Sequence, residues 1–445
     1  MQQVTSYATD TPLPRVRNVE VIPIDQGGGR MFYVRDPLEI APQPLVLGPA
    51  GMLVLSHLDG RRSIDQILDS LRSGAPGADV RADDIRHVLN KLSESCYLDD
   101  HVAAARVGRI REEFERAEVR PAWHAGTAYP DDPGELAGML DGFFENAAST
   151  VEAQSGDRNG VQEGRLVAVM CPHIDLRAGG ETYPPAFTAL AEAAGATQPF
   201  ELYVILGVAH SGGTEPGKSF AIATGKHFET PLGRAPADTT VIGDWSSRAG
   251  RDVSEQQWLH RTEHSVEFAL LFLQYIHARA ELPPFQVVPV MLGSVDHHLQ
   301  EGRNPLHSPE VAGELEALRT SVSASRKRAL YVLSVDLAHI GPKFGDRARV
   351  DDAAAAACEA TDRDLLGYVQ RFDAAGFFHT LKADGNARNV DAVSGLFSLH
   401  TLLAGAECRG DLLSYGQNRQ DDTGSLVSYA SMAFYQMPTA SPLSV

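Results

Sequence analysis

Four short apolar runs, separated by helix-like stretches, constrain the fold of this chain more than any other feature. They are rich in Val, Ile and Leu, and they span residues 165–170, 201–206, 285–292 and 329–335. Such runs, bounded by turn-forming residues, are typical of strands buried on both faces of a parallel sheet. We therefore predict an α/β fold with a doubly wound, mostly parallel sheet.

Histidines follow three of these four runs. His173, His210 and His339 each come just after a predicted strand, and Asp336 accompanies His339. In open α/β sheets, ligands bind beyond the carboxyl ends of the strands, which meet at one edge. A lone histidine after a strand is most often structural, but two in equivalent positions leave the structural and functional interpretations about even. The pattern predicts a metal site or an acid/base site at this edge.

Two further clusters leave both a structural and a functional interpretation open. The segment 263–267 opens an apolar helix and places His264 and Glu267 three residues apart, on one helix face. That spacing suits two metal ligands, but spacing alone favours an acidic first turn that interacts with the helix dipole. Asp336 near His339 is typical of a general base with a fixed tautomer, or of a helix cap.

Composition excludes several classes of protein. The 445 residues carry a formal net charge of -19, which disfavours nucleic-acid binding, and they are enough for two or three domains. The four cysteines show no CxxC spacing, so neither a zinc ribbon nor a disulfide framework is expected. We find no signal peptide and no apolar stretch of membrane-spanning length. We expect a cytoplasmic protein that contacts no membrane.

Breaks in the pattern divide the chain into five parts. We predict disorder at 1–16, a small α+β domain at 17–102, a helical linker at 103–118, the α/β domain at 119–437 and a tail at 438–445. The small domain combines a hairpin signal with three short helices, which is typical of a winged-helix-like fold. Residues 1–118 hold 14 Lys and Arg against 18 Asp and Glu. This balance favours a protein or peptide partner over DNA.

Several motifs, in this order, resemble the Memo family, including the bacterial proteins called AmmeMemoRadiSam system protein B. The resemblance covers roughly residues 119–437 and begins with His-Ala-Gly-Thr-Ala-Tyr-Pro at 124–130. It continues through Pro172-His173 and the segments 206–210, 230–233, 263–267, 334–339 and 428–430. Each motif is short, but their number and order make the match specific.

This resemblance implies a metal site. The Memo family resembles class III extradiol dioxygenases, which hold non-haem iron in a doubly wound α/β fold. His173 and His210 match family metal ligands, and Asn389 falls where the family has a cysteine ligand. His264, Asp336 and His339 match the other site residues, and the cofactor implied is iron or copper. Asn is a weak metal ligand. The sequence leaves open whether Asp391, Asp175 or Cys171 replaces it.

The small domain more weakly resembles PqqD-like peptide-recognition winged helices, through residues 58–63. This resemblance implies a peptide partner or a radical-SAM enzyme partner for that domain. Our leading hypothesis for the whole chain is a Memo-like, dioxygenase-like oxidoreductase acting on a small or peptide substrate, with His339 as acid/base residue. One alternative is a non-catalytic binding protein whose pocket has lost strong metal binding. Another is a metal-assisted hydrolase.

Overall fold

The structure, a computed structural model, describes residues 7–26, 29–74, 80–154, 164–196, 198–210, 219–420 and 423–438. The chain forms two compact units, Met1–Ala117 and Glu118–Val445. Each unit has hydrophobic clusters of its own.

The first unit is a small α+β domain, as predicted. Its strands are Glu20–Gln26 (β1), Gly29–Arg35 (β2) and Leu45–Leu47 (β3), and its helices are Pro49–Ser56 (α1), Ile64–Gly74 (α2), Ala82–Glu94 (α3) and His101–Arg116 (α4). The three strands form an antiparallel sheet in the order β1-β2-β3. The apolar faces of α2 and α3, including Ile67, Ile85 and Leu89, are buried in its core.

Residues 7–16 are ordered, contrary to the expectation of disorder over 1–16. Tyr7 and Leu13 are buried in the first unit's core. The Leu13 N–H donates to the carbonyl of Arg62, and Val16 forms a bridge with Leu98. The polar composition of this segment suggested that it makes no stable contacts. Two buried apolar side chains and these backbone hydrogen bonds nevertheless hold it in place. Residues 1–6 of the predicted disordered segment and residues 439–445 of the predicted tail lie outside the described residues.

The helix predicted as a linker also differs from expectation, because α4 belongs to the first unit. The carboxylate of Asp100 caps it by accepting from the N–H groups of Val102 and Ala103. Farther along the helix, the Arg106 guanidinium donates to the carbonyl of Ile40. Residues 103–116 are therefore an integral helix of that unit.

The second unit contains eleven of the described strands and ten α-helices. The strands are Val119–Arg120 (β4), Arg165–Cys171 (β5), Leu202–Val208 (β6), Ala221–Ala223 (β7), His227–Thr230 (β8), Gly233–Ala235 (β9), Gln286–Leu292 (β10), Ala329–Ser334 (β11), His339–Ile340 (β12), Cys408–Gln420 (β13) and Ser425–Gln436 (β14). The helices are Pro133–Gln154 (α5), Leu176–Gly179 (α6), Pro184–Ala196 (α7), Thr239–Ala249 (α8), Ser265–Arg279 (α9), Asp296–Gln300 (α10), Pro309–Ala324 (α11), Asp352–Gln370 (α12), Ala374–Asp384 (α13) and Val393–Leu402 (α14).

The main sheet confirms the predicted α/β fold class. Its eight strands have the order β12-β14-β5-β11-β6-β10-β7, and β13 pairs with β14. The four predicted runs are the central strands β5, β11, β6 and β10, and they pair in parallel. Antiparallel strands flank them on both sides. The remaining strands β4, β8 and β9 form a separate small sheet.

Apolar clusters cover both faces of this sheet. Successive residues of β6 alternate between them: Val204 and Leu206 lie in one cluster, and Tyr203 and Ile205 lie in the other. Burial on both faces explains why the strands lack polar alternation. The carboxyl ends of β5, β6 and β11 consequently open on one edge of the sheet, where the loops that carry His173, His210 and Asp336 begin. Among the described residues, no helix is long and apolar enough to cross a membrane.

Candidate metal centre

Three imidazoles converge at the carboxyl edge of the main sheet. Three ring nitrogens lie within 4.8 Å of one another, one from each of His173, His210 and His264. The ring centroids are 4.9 Å apart for His173 and His210, 5.1 Å for His173 and His264, and 4.8 Å for His210 and His264. Strand ends supply the first two rings, and the start of α9 supplies the third.

One ring nitrogen of His173 bonds to the neighbouring strand, and the other lies among the groups of the cluster. His173 is buried two residues beyond β5, and its Nδ1 lies 2.9 Å from the carbonyl oxygen of Ser334 on β11. Because a carbonyl oxygen only accepts hydrogen bonds, Nδ1 carries the proton and the lone pair resides on Nε2. The Nε2 atom is therefore available to a metal ion.

His210 is held by a carboxylate that motif reasoning did not single out. Its Nδ1 donates to Glu263, at 3.0 Å from Oε1 and 3.1 Å from Oε2. Burial alone would lower the pKa of His210, because it disfavours a charged imidazole. The Glu263 carboxylate outweighs this effect and raises the pKa of His210 to about 9. Despite its own burial, Glu263 has a pKa well below its usual range because of His210. A carboxylate on Nδ1 of a histidine is the typical outer partner of a metal ligand.

His264 reaches the site because the start of α9 packs closely on β6. A Cβ atom added to Gly207 would lie 2.3 Å from Oγ of Ser265, so only glycine permits this approach. Glu263 Oε1 accepts from the N–H groups of His264 and Ser265, each at 2.9 Å, and so caps the helix. Burial, reinforced by the neighbouring histidines, lowers the pKa of His264 well below its ordinary value although Glu263 opposes the shift.

Asp391, rather than Asn389, places its side chain beside these rings. Its Oδ2 lies 3.3 Å from Nε2 of His173, and its Oδ1 lies 4.0 Å from Nε2 of His210. Asn389 is exposed, and its Nδ2 donates to the carbonyl of His339 at 3.2 Å. Asn389, which the resemblance placed at the metal position, thus bonds to the backbone of His339, whereas the Asp391 carboxylate lies beside the rings. The role of Asn389 as a metal ligand stays a prediction.

The other two candidate donors face elsewhere. Asp175 is exposed, and it caps α6 by accepting from the N–H of Arg177. Cys171 is fully buried, and its burial raises the pKa of the thiol. Neither residue belongs to the group of rings and carboxylates around His173.

Asp336 contacts His173 more directly than it contacts His339. Its Oδ1 accepts from the N–H of His173 at 3.0 Å, and its Oδ2 lies 3.8 Å from Nε2 of the same residue. Burial raises the pKa of Asp336, although the nearby His173 and His339 oppose this shift. Asp336 thus lines the same cluster and positions the loop that carries His173.

Two carbonyl groups, rather than Asp336, hold the imidazole of His339. Its Nδ1 donates to Leu337 at 3.1 Å and to Asn389 at 3.2 Å. This arrangement fixes the proton on Nδ1 and leaves Nε2 free to accept one. The tautomer of His339 is thus fixed by two carbonyl oxygens, whereas the sequence had suggested Asp336 for this role.

Glu267, predicted as either ligand or capping residue, anchors the segment before α5. It is fully buried and pairs with the buried guanidinium of Arg120, and the Tyr129 hydroxyl also donates to it. Its Oε1 accepts from the N–H of His124 at 3.0 Å. This contact holds the His124 ring at 5.9 Å from the His264 ring. Burial, with Arg120 nearby, lowers the pKa of His124 to about 4.

The donor set fits a first-row transition metal ion. Imidazole nitrogen suits iron, copper and zinc, and two histidines with one carboxylate are typical of non-haem Fe(II) sites. His173, His210 and Asp391 have this composition, and His264 adds a third imidazole. Soft thiolate ligands would instead favour Cu(I).

Comparison with known proteins agrees with the motifs. A family model described as Memo-like protein matches residues 120–433, which is most of the chain. The chain belongs to the Memo family. This membership confirms the resemblance seen from the motifs between His124 and Ala430.

Relatives within the Memo family differ in how much of the chain they cover. A MEMO1 family protein of Aquifex aeolicus is 26% identical over 423 residues, which is 95% of this chain and 100% of the relative. One from Pyrococcus furiosus is 29% identical over 323 residues, covering 71% of this chain and 98% of the relative. One from Thermus thermophilus is 28% identical over 326 residues, covering 73% and 85%. The Aquifex relative extends over both units, whereas the Pyrococcus relative is about as long as the second unit.

Sequence reasoning missed two site residues and left a third undecided. Glu263 was detectable, because it directly precedes a histidine at a helix start, where its carboxylate also caps the helix. His124 stood in a recognised motif, but its sequence neighbours gave no sign of the ring contact with His264. Asp391 was one of three open alternatives, and only the loop's backbone path distinguishes it from Asn389.

Proposed function

We propose that this Memo protein is a metal-dependent oxidoreductase that binds iron through His173, His210 and Asp391. The observation that carries the proposal is the convergence of these donors with His264 at the carboxyl edge of the sheet. A carboxylate in place of a thiolate favours Fe(II) over the alternative, copper. When bound, the iron would provide open coordination positions for dioxygen and for a small or peptide substrate.

In this proposal the surrounding residues bind, orient and move protons. Ser334 and Glu263 hold His173 and His210 with Nε2 directed away from their own hydrogen bonds. His339, half-buried with a free Nε2, accepts a proton from the substrate and later returns it. Asp336 lies between the metal-binding histidine and the acid/base histidine. It accepts from the N–H of His173, and the nearby His339 lowers the pKa of Asp336.

Metal analysis and reconstitution test the proposal. Protein purified without an affinity tag, stripped with a chelator and titrated anaerobically with Fe(II), is expected to bind one equivalent. His173→Ala is expected to abolish this binding, whereas His339→Ala is expected to keep it. Folding of each variant is checked by circular dichroism. Full Fe(II) affinity in folded His173→Ala protein would refute the proposed site.

Two rival functions make different predictions in the same experiment. Asn389 suggested a non-catalytic binding protein, but the Asp391 carboxylate, 3.3 Å from Nε2 of His173, supports a metal site instead. A metal-assisted hydrolase would use the same ligands with an activated water. Uptake of dioxygen by the Fe(II) form, with each class of test substrate, favours the oxidoreductase. Hydrolysis without dioxygen favours the hydrolase.

We propose further that the first unit contacts a peptide or a radical-SAM enzyme. Its acidic balance supports this over DNA binding, as do the exposed apolar side chains of Val46 on β3 and Leu53 on α1. Val46→Asp is expected to weaken co-purification with a co-expressed radical-SAM enzyme. A labelled DNA duplex is expected to stay unbound at physiological salt.

A further inference from the structure

Asp362 is a fully buried carboxylate near the middle of α12, outside the group of metal-site donors. Four side chains donate hydrogen bonds to it: the hydroxyls of Ser428, at 2.6 Å, and Tyr415, at 3.0 Å, the thiol of Cys358, at 3.7 Å, and the guanidinium of Arg388. Burying a carboxylate is unfavourable unless it is paired and hydrogen-bonded. These donors offset that cost, and in turn they are held in place around Asp362.

Ser428 connects Asp362 to the residues that precede His339. Its Oγ donates to Asp362 and accepts from the N–H of Ala338 at 2.9 Å. Its backbone donates to the carbonyl of Ala338 at 2.9 Å and accepts from the N–H of Leu337 at 2.8 Å. The Leu337 carbonyl is one of the two groups that accept from Nδ1 of His339. Ser428 therefore fixes one of the two acceptors that orient this ring.

Arg388 connects Asp362 to the loop on the other side of His339. Its guanidinium donates to Asp362, and its backbone carbonyl accepts from the N–H of His339 at 2.8 Å. The next residue, Asn389, supplies the second carbonyl that accepts from Nδ1 of His339. Asp391 follows two residues later on the same loop. Arg388 therefore anchors both the second acceptor and the carboxylate beside the metal-site rings.

We propose that Asp362 is a positioning residue for the site. Its Oδ2 accepts from Ser428 and its Oδ1 accepts from Arg388, so one side chain fixes both segments that orient the ring of His339. Proton transfer by His339 and iron binding by Asp391 rest on the proposed function. The orientation of the His339 ring does not rest on it, because this orientation exists without metal.

The alternative is that Asp362 serves only the stability of the fold, and Tyr415 separates the two roles. The Tyr415 hydroxyl donates to the same Oδ2 and accepts from the side-chain amide of Gln417, its neighbour on β13. Tyr415→Phe therefore removes one donor from Asp362 without removing a contact of either segment around His339. It is the matched control for Ser428→Ala, which also removes one hydroxyl donor.

Nitrogen-15 NMR of the imidazoles in the metal-free, full-length chain tests the proposal. The signal of His339, one of 16 histidines, is identified by its loss in His339→Ala. At a pH where the ring is neutral, wild type is expected to show the Nδ1-protonated tautomer. Asp362→Asn and Ser428→Ala are expected to show a mixture of both tautomers, because the acceptor carbonyls move. Tyr415→Phe should keep the wild-type signal.

Two replacements of Arg388 test whether its charge holds the loop. Arg388→Met loses the charge and the donor, so the His339 signal is expected to change as in Asp362→Asn. Arg388→Lys keeps both, so it should retain most of the wild-type signal. Anaerobic titration with Fe(II) is expected to show affinity about ten-fold weaker in Arg388→Met, as is typical when the supporting residues of a metal site are lost.

The outcomes separate this proposal from the iron site itself. Wild type that binds no Fe(II) refutes the proposed function but leaves the NMR comparison intact. An unchanged His339 signal in folded Asp362→Asn and Arg388→Met overturns the positioning role. Equal changes in Tyr415→Phe and Ser428→Ala also overturn it, since they indicate a general loss of stability. If Asp362→Asn does not fold by circular dichroism, the Arg388 and Ser428 variants decide.

Discussion

At the scale of single residues, Asn389 and Asp391 show that a residue can occupy a motif position because of its backbone conformation and not because it binds a metal. Asn389 has φ = 47°, a left-handed conformation that asparagine adopts more readily than most residues. Its exposed side chain donates to the carbonyl of His339. The identity of Asn389 is therefore explained by the turn, whereas Asp391 provides the negative charge beside His173.

The first prediction separates these two residues. Asp391→Ala is expected to reduce Fe(II) affinity by at least ten-fold, because it removes the carboxylate beside His173 and His210. Asn389→Gly is the matched control, since glycine permits the same φ and only the side chain is lost. Anaerobic calorimetric titration measures both affinities. A larger loss in Asn389→Gly than in Asp391→Ala would restore Asn389 as the ligand.

The second prediction concerns Glu263, the partner of His210. Glu263→Gln keeps a side-chain oxygen to cap α9 but removes the charge that raises the basicity of His210. Loss of such an outer-shell carboxylate typically costs about ten- to a hundred-fold in metal affinity. The variant is therefore expected to fold like wild type by thermal unfolding and to bind Fe(II) more weakly. Unchanged affinity would show that Glu263 serves only as a cap.

At the scale of secondary-structure elements, the sequence predicts the sheet far better than the site loops. The runs 165–170 and 285–292 correspond to Arg165–Cys171 and Gln286–Leu292, because strands buried on both faces must be apolar throughout. The histidines after β5 and β6 follow from the same reasoning. Loop side chains do not, because their directions depend on turn conformation and on contacts distant in sequence. The sequence therefore did not predict that Asn389 contacts the His339 carbonyl, or that two carbonyl groups accept from the His339 ring.

The third prediction tests the close packing of α9 on β6. Gly207→Ala would place a Cβ atom 2.3 Å from Ser265 Oγ and 3.0 Å from Val266 Cγ2. We expect destabilisation of about 1–3 kcal/mol, which is typical of overpacking, and weaker Fe(II) binding because His264 shifts with the helix.

Gly243 in α8 is the control for this substitution, since nothing lies within 4 Å of a Cβ atom added there. Gly243→Ala should stabilise the protein by about 0.5–1 kcal/mol through helix propensity. Urea unfolding of both variants measures these differences. A stable Gly207→Ala protein with normal metal binding would show that α9 tolerates displacement.

At the scale of the whole molecule, the two compact units have separate cores and different relations to the Memo family. The hydrophobic cluster of the first unit involves residues 7–98, whereas the clusters of the second involve residues beyond 124. All residues of the proposed iron site, from His173 to Asp391, belong to the second unit. A Memo relative about as long as the second unit indicates that such a domain can exist without the first.

The last prediction follows from this division. A fragment of residues 118–445 is expected to fold alone and to bind Fe(II) with the affinity of the full chain, because it retains every donor and both apolar clusters around the sheet. The fragment 1–117 is expected to fold but to bind no Fe(II). Circular dichroism establishes the folding of each fragment, and anaerobic titration measures the metal. If the 118–445 fragment folds but loses affinity, the first unit contributes to the site.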